Sequence, residues 1–252
     1  YLKEVKKQEF YDLNLCLCNE CGFVQLDTII NPDTIYRDYI YVTTSSSGLE
    51  NHFKKYSEEV CDLLDLKGSK LTVDIGSNDG TLLKCLKKRG HEVLGVDPSY
   101  SAAESAIAGG INTLPEFFDL PLAKKIVNDH GQAELITVNN LFANIDLLHD
   151  FVSGLDILLS DNGVLVVESS YLLDMIKNMV FDFIYHEHLS YFSIFPLQKF
   201  FKNYGLHLIG LEHVGTKGGS LRYYWARSNS KWEVDKNVTK IIEEEKKANI
   251  NI

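Results

Sequence analysis

Between residues 183 and 192 the chain reads Phe-Ile-Tyr-His-Glu-His-Leu-Ser-Tyr-Phe, so His186, Glu187 and His188 stand in a row between Tyr185 and Tyr191. Histidine titrates near neutral pH, and a neighbouring carboxylate can fix its tautomer, which makes this cluster a candidate acid–base centre. A metal site is the second reading, but His-Glu-His lacks the i, i+4 helical spacing of zinc hydrolases. The third is a structural loop whose imidazoles are satisfied by backbone groups. Residue types alone leave the three open.

A second reactive stretch lies at residues 71–80, Leu-Thr-Val-Asp-Ile-Gly-Ser-Asn-Asp-Gly. The apolar, β-branched opening reads as a buried strand, and Thr81-Leu82-Leu83 opens an amphipathic helix after the polar turn. In an open α/β sheet, ligands sit beyond the carboxyl ends of the strands, where glycine lets the backbone approach them. Gly76 supplies that approach, and the following helix N-terminus is expected to offer unpaired N–H groups. Seventeen residues after Gly80, Asp97 ends a second strand, where a carboxylate suits the two hydroxyls of a ribose.

These residues need an α/β framework, and the pattern supplies one. Strands are expected over 71–75, 92–96, 111–113, 134–138 and 164–168, alternating with helices ending near Arg89 and over 102–108, 121–129 and 146–160. A helix over 196–204 and two final strands, 206–213 and 220–226, complete it, and a helix over 49–66 leads in. The fourth strand ends at Asn139 and Asn140, amides that can cap a helix or meet a ligand. Before the framework come the tyrosines of residues 36–41 and a hydroxyl-rich stretch to Gly48, a wall suited to hydrogen-bonding a polyol. Cys18-Asn19-Glu20-Cys21-Gly22 is a knuckle of the kind that holds half of a tetrahedral zinc site. Cys16 fits a strand better than a third ligand position, and Cys61 and Cys85 read as core thiols on helix faces.

With 252 residues and a net charge of −10, the chain holds one α/β domain with modest appendages and presents no basic footprint for nucleic acid. No apolar run reaches membrane-spanning length and no signal-peptide pattern opens it, so a cytoplasmic protein without a membrane partner is expected. Nothing in the pattern speaks to oligomeric state. Residues 1–48 are expected to form a knuckle and substrate-binding segment, 49–232 the catalytic domain, and 233–252 a helix cut from a longer chain.

The run Asp74-Ile75-Gly76-Ser77-Asn78-Asp79-Gly80 resembles motif I of class I S-adenosylmethionine (SAM) methyltransferases, and its Ser-Asn-Asp-Gly-Thr-Leu-Leu form resembles the sugar C-methyltransferases of deoxysugar biosynthesis. Acids beside the turn, Asp74 and Asp79, would repel a pyrophosphate but suit the amino group and sulfonium of SAM. The resemblance implies a Rossmann-like class I fold with a small N-terminal cysteine-knuckle subdomain. It implies SAM bound through Asp74, Gly76, Ser77, Asn78, Asp79, Asp97 and Asn139. It also implies a sugar-nucleotide substrate met by Asn140, Tyr41 and Asn144, with His188 as general base and Glu187, Tyr185 and Tyr39 binding or orienting the sugar. Zinc on Cys18 and Cys21 is implied only as a half-site, since the partner knuckle and a C-terminal domain of that family have no counterpart here. Asn144 stands where the family usually has histidine and cannot take up a proton near neutral pH. The expected reaction is C-methylation through a base-generated enolate. O-methylation of a sugar hydroxyl by the same base, and SAM binding without catalysis, are the alternatives.

Overall fold

The computed structural model describes residues 9–37, 39, 43 and 48–250. A hairpin of β1 (Leu15–Leu17) and β2 (Val24–Leu26) carries the Cys18 and Cys21 turn at its tip. The Cys18 N–H donates to the Phe23 carbonyl at 2.8 Å and the Gly22 N–H to the Cys18 carbonyl at 2.9 Å, closing the knuckle. Cys16 lies in β1, as its spacing predicts. A short α1 (Pro32–Tyr36), capped by the Asn31 side chain, follows.

The alternating region begins with α2 (Leu49–Leu63) and β3 (Leu71–Ile75) and continues through α3 (Thr81–Lys88), β4 (Glu92–Val96), α4 (Tyr100–Ala108) and β5 (Thr113–Leu114). Next come α5 (Leu120–His130), β6 (Ala133–Asn139), α6 (Leu148–Leu158) and β7 (Leu159–Ser170). The chain then forms α7 (Leu172–Lys177), β8 (Ser190–Tyr191), α8 (Ile194–Lys202), β9 (Leu206–Val214), β10 (Ser220–Arg227) and α9 (Lys236–Lys247).

Among the described residues, seven strands form one sheet in the order β5-β4-β3-β6-β7-β10-β9. The first five are parallel, while β10 runs antiparallel to both neighbours, which is the expected final pair. The chain leaves β3 toward β4 on one side and returns to β6 on the other, so the β3–β6 boundary is a topological switch point, where α/β sheets bind ligands. Strand residues alternate between two cores. Val73, Ile75, Ile136, Val138, Leu165 and Val167 meet α5, α6, α8 and α9 on one face. Leu135, Val164 and Val166 meet α2 and α3 on the other, through Tyr56, Val60, Leu83 and Leu86. Burial on both faces accounts for the nearly continuous apolar runs.

Several boundaries differ from the pattern: β5 covers Thr113–Leu114 rather than 111–113, α8 Ile194–Lys202 rather than 196–204, α2 ends at Leu63 rather than 66, and β7 and α6 also start elsewhere. β7 starts at Leu159, which pairs with Ala133 before the register slips past polar residues 160–163 and resumes with Val164 opposite Leu135. α6 starts at Leu148 rather than 146, because Phe142–Asn144 turns as a 3₁₀ helix and Ile145 is extended. No described helix is long and apolar enough to cross a membrane.

β8 pairs with β2, making a second sheet in the order β1-β2-β8, and the Leu26 N–H donates to the Leu189 carbonyl at 2.9 Å. The N-terminal hairpin therefore clamps the residues that directly follow His188. At the other end of the chain, α9 buries Val238, Ile241 and Glu245. Glu245 accepts from the N–H groups of Ile194 at 2.7 Å and Phe195 at 3.1 Å, capping α8, and from the Tyr171 hydroxyl at 2.9 Å. Glu245→Ala strands those three donors, so urea denaturation should show a loss of about 1–3 kcal/mol; an unchanged midpoint would mean that water caps α8 equally well.

Candidate functional site

Beyond the carboxyl ends of β3, β4 and β6 lies a cavity of about 420 Å³. Its floor is the turn after β3. Gly76 has φ +76°, a conformation that favours glycine, and a Cβ there would fall 2.9 Å from Cδ2 of the Leu141 side chain. Asn78 follows at φ +49°. Its side-chain oxygen accepts from the Thr43 N–H at 2.8 Å and its own N–H donates to Asp97 Oδ2 at 2.8 Å.

The turn's N–H groups correct one expectation. Gly76 and Ser77 donate to the Val96 carbonyl, Gly80 to the Ser77 carbonyl, and Thr81 to Asp79 Oδ1. These four N–H groups are therefore engaged within the protein, whereas Leu82, in the first turn of α3, lines the cavity. Asp79 is likewise turned to structure: it is buried, accepts from the Thr81 hydroxyl at 2.5 Å, and is not part of the cavity lining. Asp74, Gly76, Ser77, Asn78, Asp97 and Asn139 all line the cavity.

The carboxylates there are unusual. Burial pushes Asp74 up to about 7, opposed by the Thr137 hydroxyl at 2.6 Å and the Asn139 amide and reinforced by the charge of Asp97. Burial also raises Asp97, although both its oxygens accept backbone N–H bonds, from Asn78 and from Ser99 at 2.9 Å. Those bonds fix the carboxylate while each oxygen keeps a second lone pair. The buried side-chain oxygen of Asn139 has no partner among the described residues.

On the opposite wall stand Tyr36, Tyr39, Asn140 and Asn144. Asn140 has φ +53° and donates its N–H to the Glu168 carbonyl at 2.7 Å. The Tyr39 hydroxyl donates to Glu187 Oε2 at 3.1 Å, and the Tyr36 hydroxyl to the Glu187 carbonyl at 3.4 Å. Burial and the Glu187 charge hold both phenols well above their ordinary value, so both act as donors. Tyr41 lies outside the described residues.

Tyr185, Glu187 and His188 stand behind this wall, not in the lining. His188 is buried; its Nδ1–H donates to the Phe183 carbonyl at 3.0 Å, which leaves Nε2 to accept from the Tyr185 hydroxyl at 3.2 Å. Burial pushes this imidazole down to about 4, helped by the charge of Lys217 and opposed by the Phe183 carbonyl. His186 points away and donates to the Asp12 carbonyl at 3.0 Å, an anchor for the N-terminal segment. Three contributors were not singled out in the sequence: Tyr36, Thr43 and Lys217. The first two fall within the tyrosine and hydroxyl stretch, and Lys217 directly precedes Gly218-Gly219-Ser220, a glycine pair that marks a tight hairpin.

No three His, Cys, Asp or Glu side chains gather as a metal site among the described residues. Cys18 and Cys21 remain a pair, although hydrogen bonds from the Glu20 and Cys21 backbone lower the Cys18 thiol. Two thiolates do not close a tetrahedral structural zinc site.

A family profile described as "Methyltransferase domain" matches residues 49–211. The C-methyltransferase NovU of Streptomyces niveus is 31% identical over 243 residues, which are 96% of this chain and 58% of that protein. This chain thus spans little more than half the length of that curated relative. Among solved structures, a Pyrococcus horikoshii protein superposes with a TM-score of 0.59 at 12% identity, covering 74% of this chain and 94% of that one. Magnesium protoporphyrin IX methyltransferase from Synechocystis, solved with bound S-adenosylhomocysteine, gives 0.54 at 15% identity over 69% of this chain and 83% of that one. These likenesses show a class I, Rossmann-like methyltransferase fold.

The His188 environment is directly measurable. Its ring resonances should titrate near 4 rather than at the ordinary histidine value, and Tyr185→Phe should alter the Nε2 shift. An apparent pKa near 6.5 in NMR would contradict the buried, carbonyl-bound tautomer.

Proposed function

Because the chain belongs to the methyltransferase domain family, we propose that it transfers a methyl group from SAM to a carbon of a keto sugar carried on a nucleotide. The observation that carries the reading is the single cavity in which a fixed acidic turn, Asp74 to Asp97, faces a wall of phenols and amides. The residues fit SAM. Gly76 brings bare backbone to the lining, Asp97 keeps lone pairs for a ribose, and the unpartnered Asn139 oxygen offers an acceptor. Bound there, SAM supplies an electrophilic methyl on a positively charged sulfur. A lining that carries Asp74 and Asp97 suits that cation better than a diphosphate.

The chain's own residues supply positioning and one proton acceptor. Tyr39 and Tyr36 present hydroxyls held by Glu187, and Asn140 and Asn144 present amides, a set that grips the oxygens of a sugar. His188, neutral and with Nε2 directed at the Tyr185 hydroxyl, supplies a proton acceptor beside the cavity rather than in its lining, and the reading requires the acceptor carbon to reach past Tyr36 and Tyr39 to this pair. Removal of a proton beside a keto group gives a carbon nucleophile, and alignment of that carbon with the methyl is a matter of orientation. The 31% identity to a C-methyltransferase supports carbon as the acceptor. O-methylation draws support from Asn144, a neutral amide in the wall that cannot itself move a proton.

Gly76→Val tests the cofactor side: SAM affinity by calorimetry should fall below detection with circular dichroism unchanged, whereas wild-type affinity would remove this turn from the site. His188→Asn tests the chemistry, and turnover should fall by roughly 10²–10⁴-fold with SAM affinity retained. His186→Asn should cost far less, since that ring anchors Asp12. Equal losses in the two variants would sink the assignment of His188. Because His188 takes up a proton only near 4, kcat/KM should hold level from pH 8 down to about 5 and drop below that, the protonated ring being unable to accept.

A further inference from the structure

Among the described lining residues, Lys217 is the sole basic side chain of the cavity, set against seven carboxylates. Its backbone is held in an uncommon conformation. Lys217 has φ +53° in the hairpin between β9 and β10. The Asn178 amide donates to the Gly218 carbonyl at 2.9 Å, and a Cβ on Gly219 would lie 2.5 Å from the Asp174 Cβ. The end of α7 and the residues after it therefore clamp this loop. A left-handed non-glycine residue costs about 1–3 kcal/mol and persists where its surroundings over-determine it, a pattern found at ligand-holding sites.

Lys217 opens on the cavity together with Tyr39, Asn140 and Asn144, while Glu168 and Glu187 attract its ammonium and His188 feels its charge. It thus joins the cofactor cavity to the Tyr185–His188 cluster. An ammonium here offsets part of the charge of the carboxylates, but it also stands with Tyr39, Asn140 and Asn144, the residues assigned to the acceptor rather than to the cationic cofactor. The lysine makes sense if negative charge arrives with the substrate or forms during reaction. Asn144 and Asn140 can hydrogen-bond a carbonyl, but neither neutralises an anion.

We propose that Lys217 is the electrophilic residue of the methyl transfer, its ammonium holding the sugar's keto oxygen and the negative charge that develops there. The assignment rests on the C-methylation reading. The base removes the proton from the carbon beside the ketone; that C–H pair becomes the C=C bond, and the carbonyl π pair moves onto oxygen. Lys217 keeps its three protons and pairs with that oxygen. The carbonyl then re-forms as the carbon takes the methyl, the sulfur leaves with the S–C pair as the neutral thioether, and the base later gives its proton to water. Charge stabilisation of this type commonly contributes about 10²–10³-fold in rate.

The test is deuterium exchange at the carbon beside the ketone. Wild type, Lys217→Met and Lys217→Arg are incubated in D₂O with S-adenosylhomocysteine and a panel of keto-sugar nucleotides, with sugar-nucleotide affinity measured by calorimetry. At saturating sugar nucleotide, Lys217→Met should exchange about 10²–10³-fold more slowly than wild type. Its affinity for the sugar nucleotide should change little, and Lys217→Arg should recover part of the rate. Wild-type exchange in Lys217→Met with weakened sugar-nucleotide affinity would place the lysine on the diphosphate and overturn the proposal. If Lys217→Met fails to bind S-adenosylhomocysteine, Lys217→Gln gives the same comparison in a folded protein. Methyl transfer by wild type to a hydroxyl, without any exchange, would overturn the C-methylation reading and this assignment with it. Exchange in wild type that is indifferent to residue 217 would overturn only the assignment.

Discussion

The carboxylate of Glu168, fully buried near the end of β7, is the constraint from which the site's geometry follows. A charge removed from water costs several kcal/mol unless it is paired and hydrogen-bonded on every side. Here Arg222 of β10 reaches it with Nε at 3.0 Å and Nη2 at 2.9 Å, and His52 of α2 with Nε2 at 3.0 Å. Burial works to raise Glu168, but the His52 hydrogen bond and the Arg222 charge prevail and hold it below its ordinary value. Arg222 is itself fixed by Glu212 and Glu59 and lies 4.0 Å over the Tyr56 ring. Helix α2, β7, β9 and β10 are thereby locked together next to the cavity. One cavity residue and the neighbour of another hang on Glu168: the Asn140 N–H on its carbonyl, and the hydroxyl of Thr216, next to Lys217, at 3.5 Å from Oε1. If the Arg222–Glu168 pair were loosened, both walls of the cavity would lose their reference point.

Negative charge dominates the lining of the cavity. The side of β3 and β4 presents carboxyl groups, two of them shifted upward by burial. A bound cation would relieve the repulsion between Asp74 and Asp97 and favour their ionised forms. The rest of the lining holds the Tyr36 and Tyr39 phenols, the Asn140 and Asn144 amides, five further carboxyl groups and, among the described residues, a single ammonium. An acidic lining suits a positively charged donor, and its phenols and amides suit an oxygen-rich acceptor, the pair that methyl transfer brings together.

Much of this was legible because it is local. The strand at Leu71–Ile75, its glycine turn and the acid at Asp97 are set by short-range periodicity and backbone sterics, and they stand where the pattern places them. Asp79 misled because an acid just before a helix serves the helix first: the Thr81 N–H and hydroxyl are its nearest donors. The pairing of β2 with β8 joins residues more than 160 positions apart, and no local pattern announces two-residue strands. The same holds for the tautomer of His188, which depends on the Phe183 carbonyl and on burial by distant elements. The tail helix is amphipathic in sequence, yet its use of Glu245 to cap α8 appears only once both helices are packed. Lys217 was invisible because a lysine before two glycines reads as an ordinary exposed turn.

The central claim is that this acidic turn receives a cationic nucleoside and not a dinucleotide diphosphate. Calorimetric titration of the purified protein with SAM and, separately, with NAD⁺ tests it most directly. One SAM per chain at micromolar affinity, weakening as salt rises, with no measurable heat from NAD⁺, is the expected result. Saturable binding of NAD⁺ in preference to SAM would contradict it.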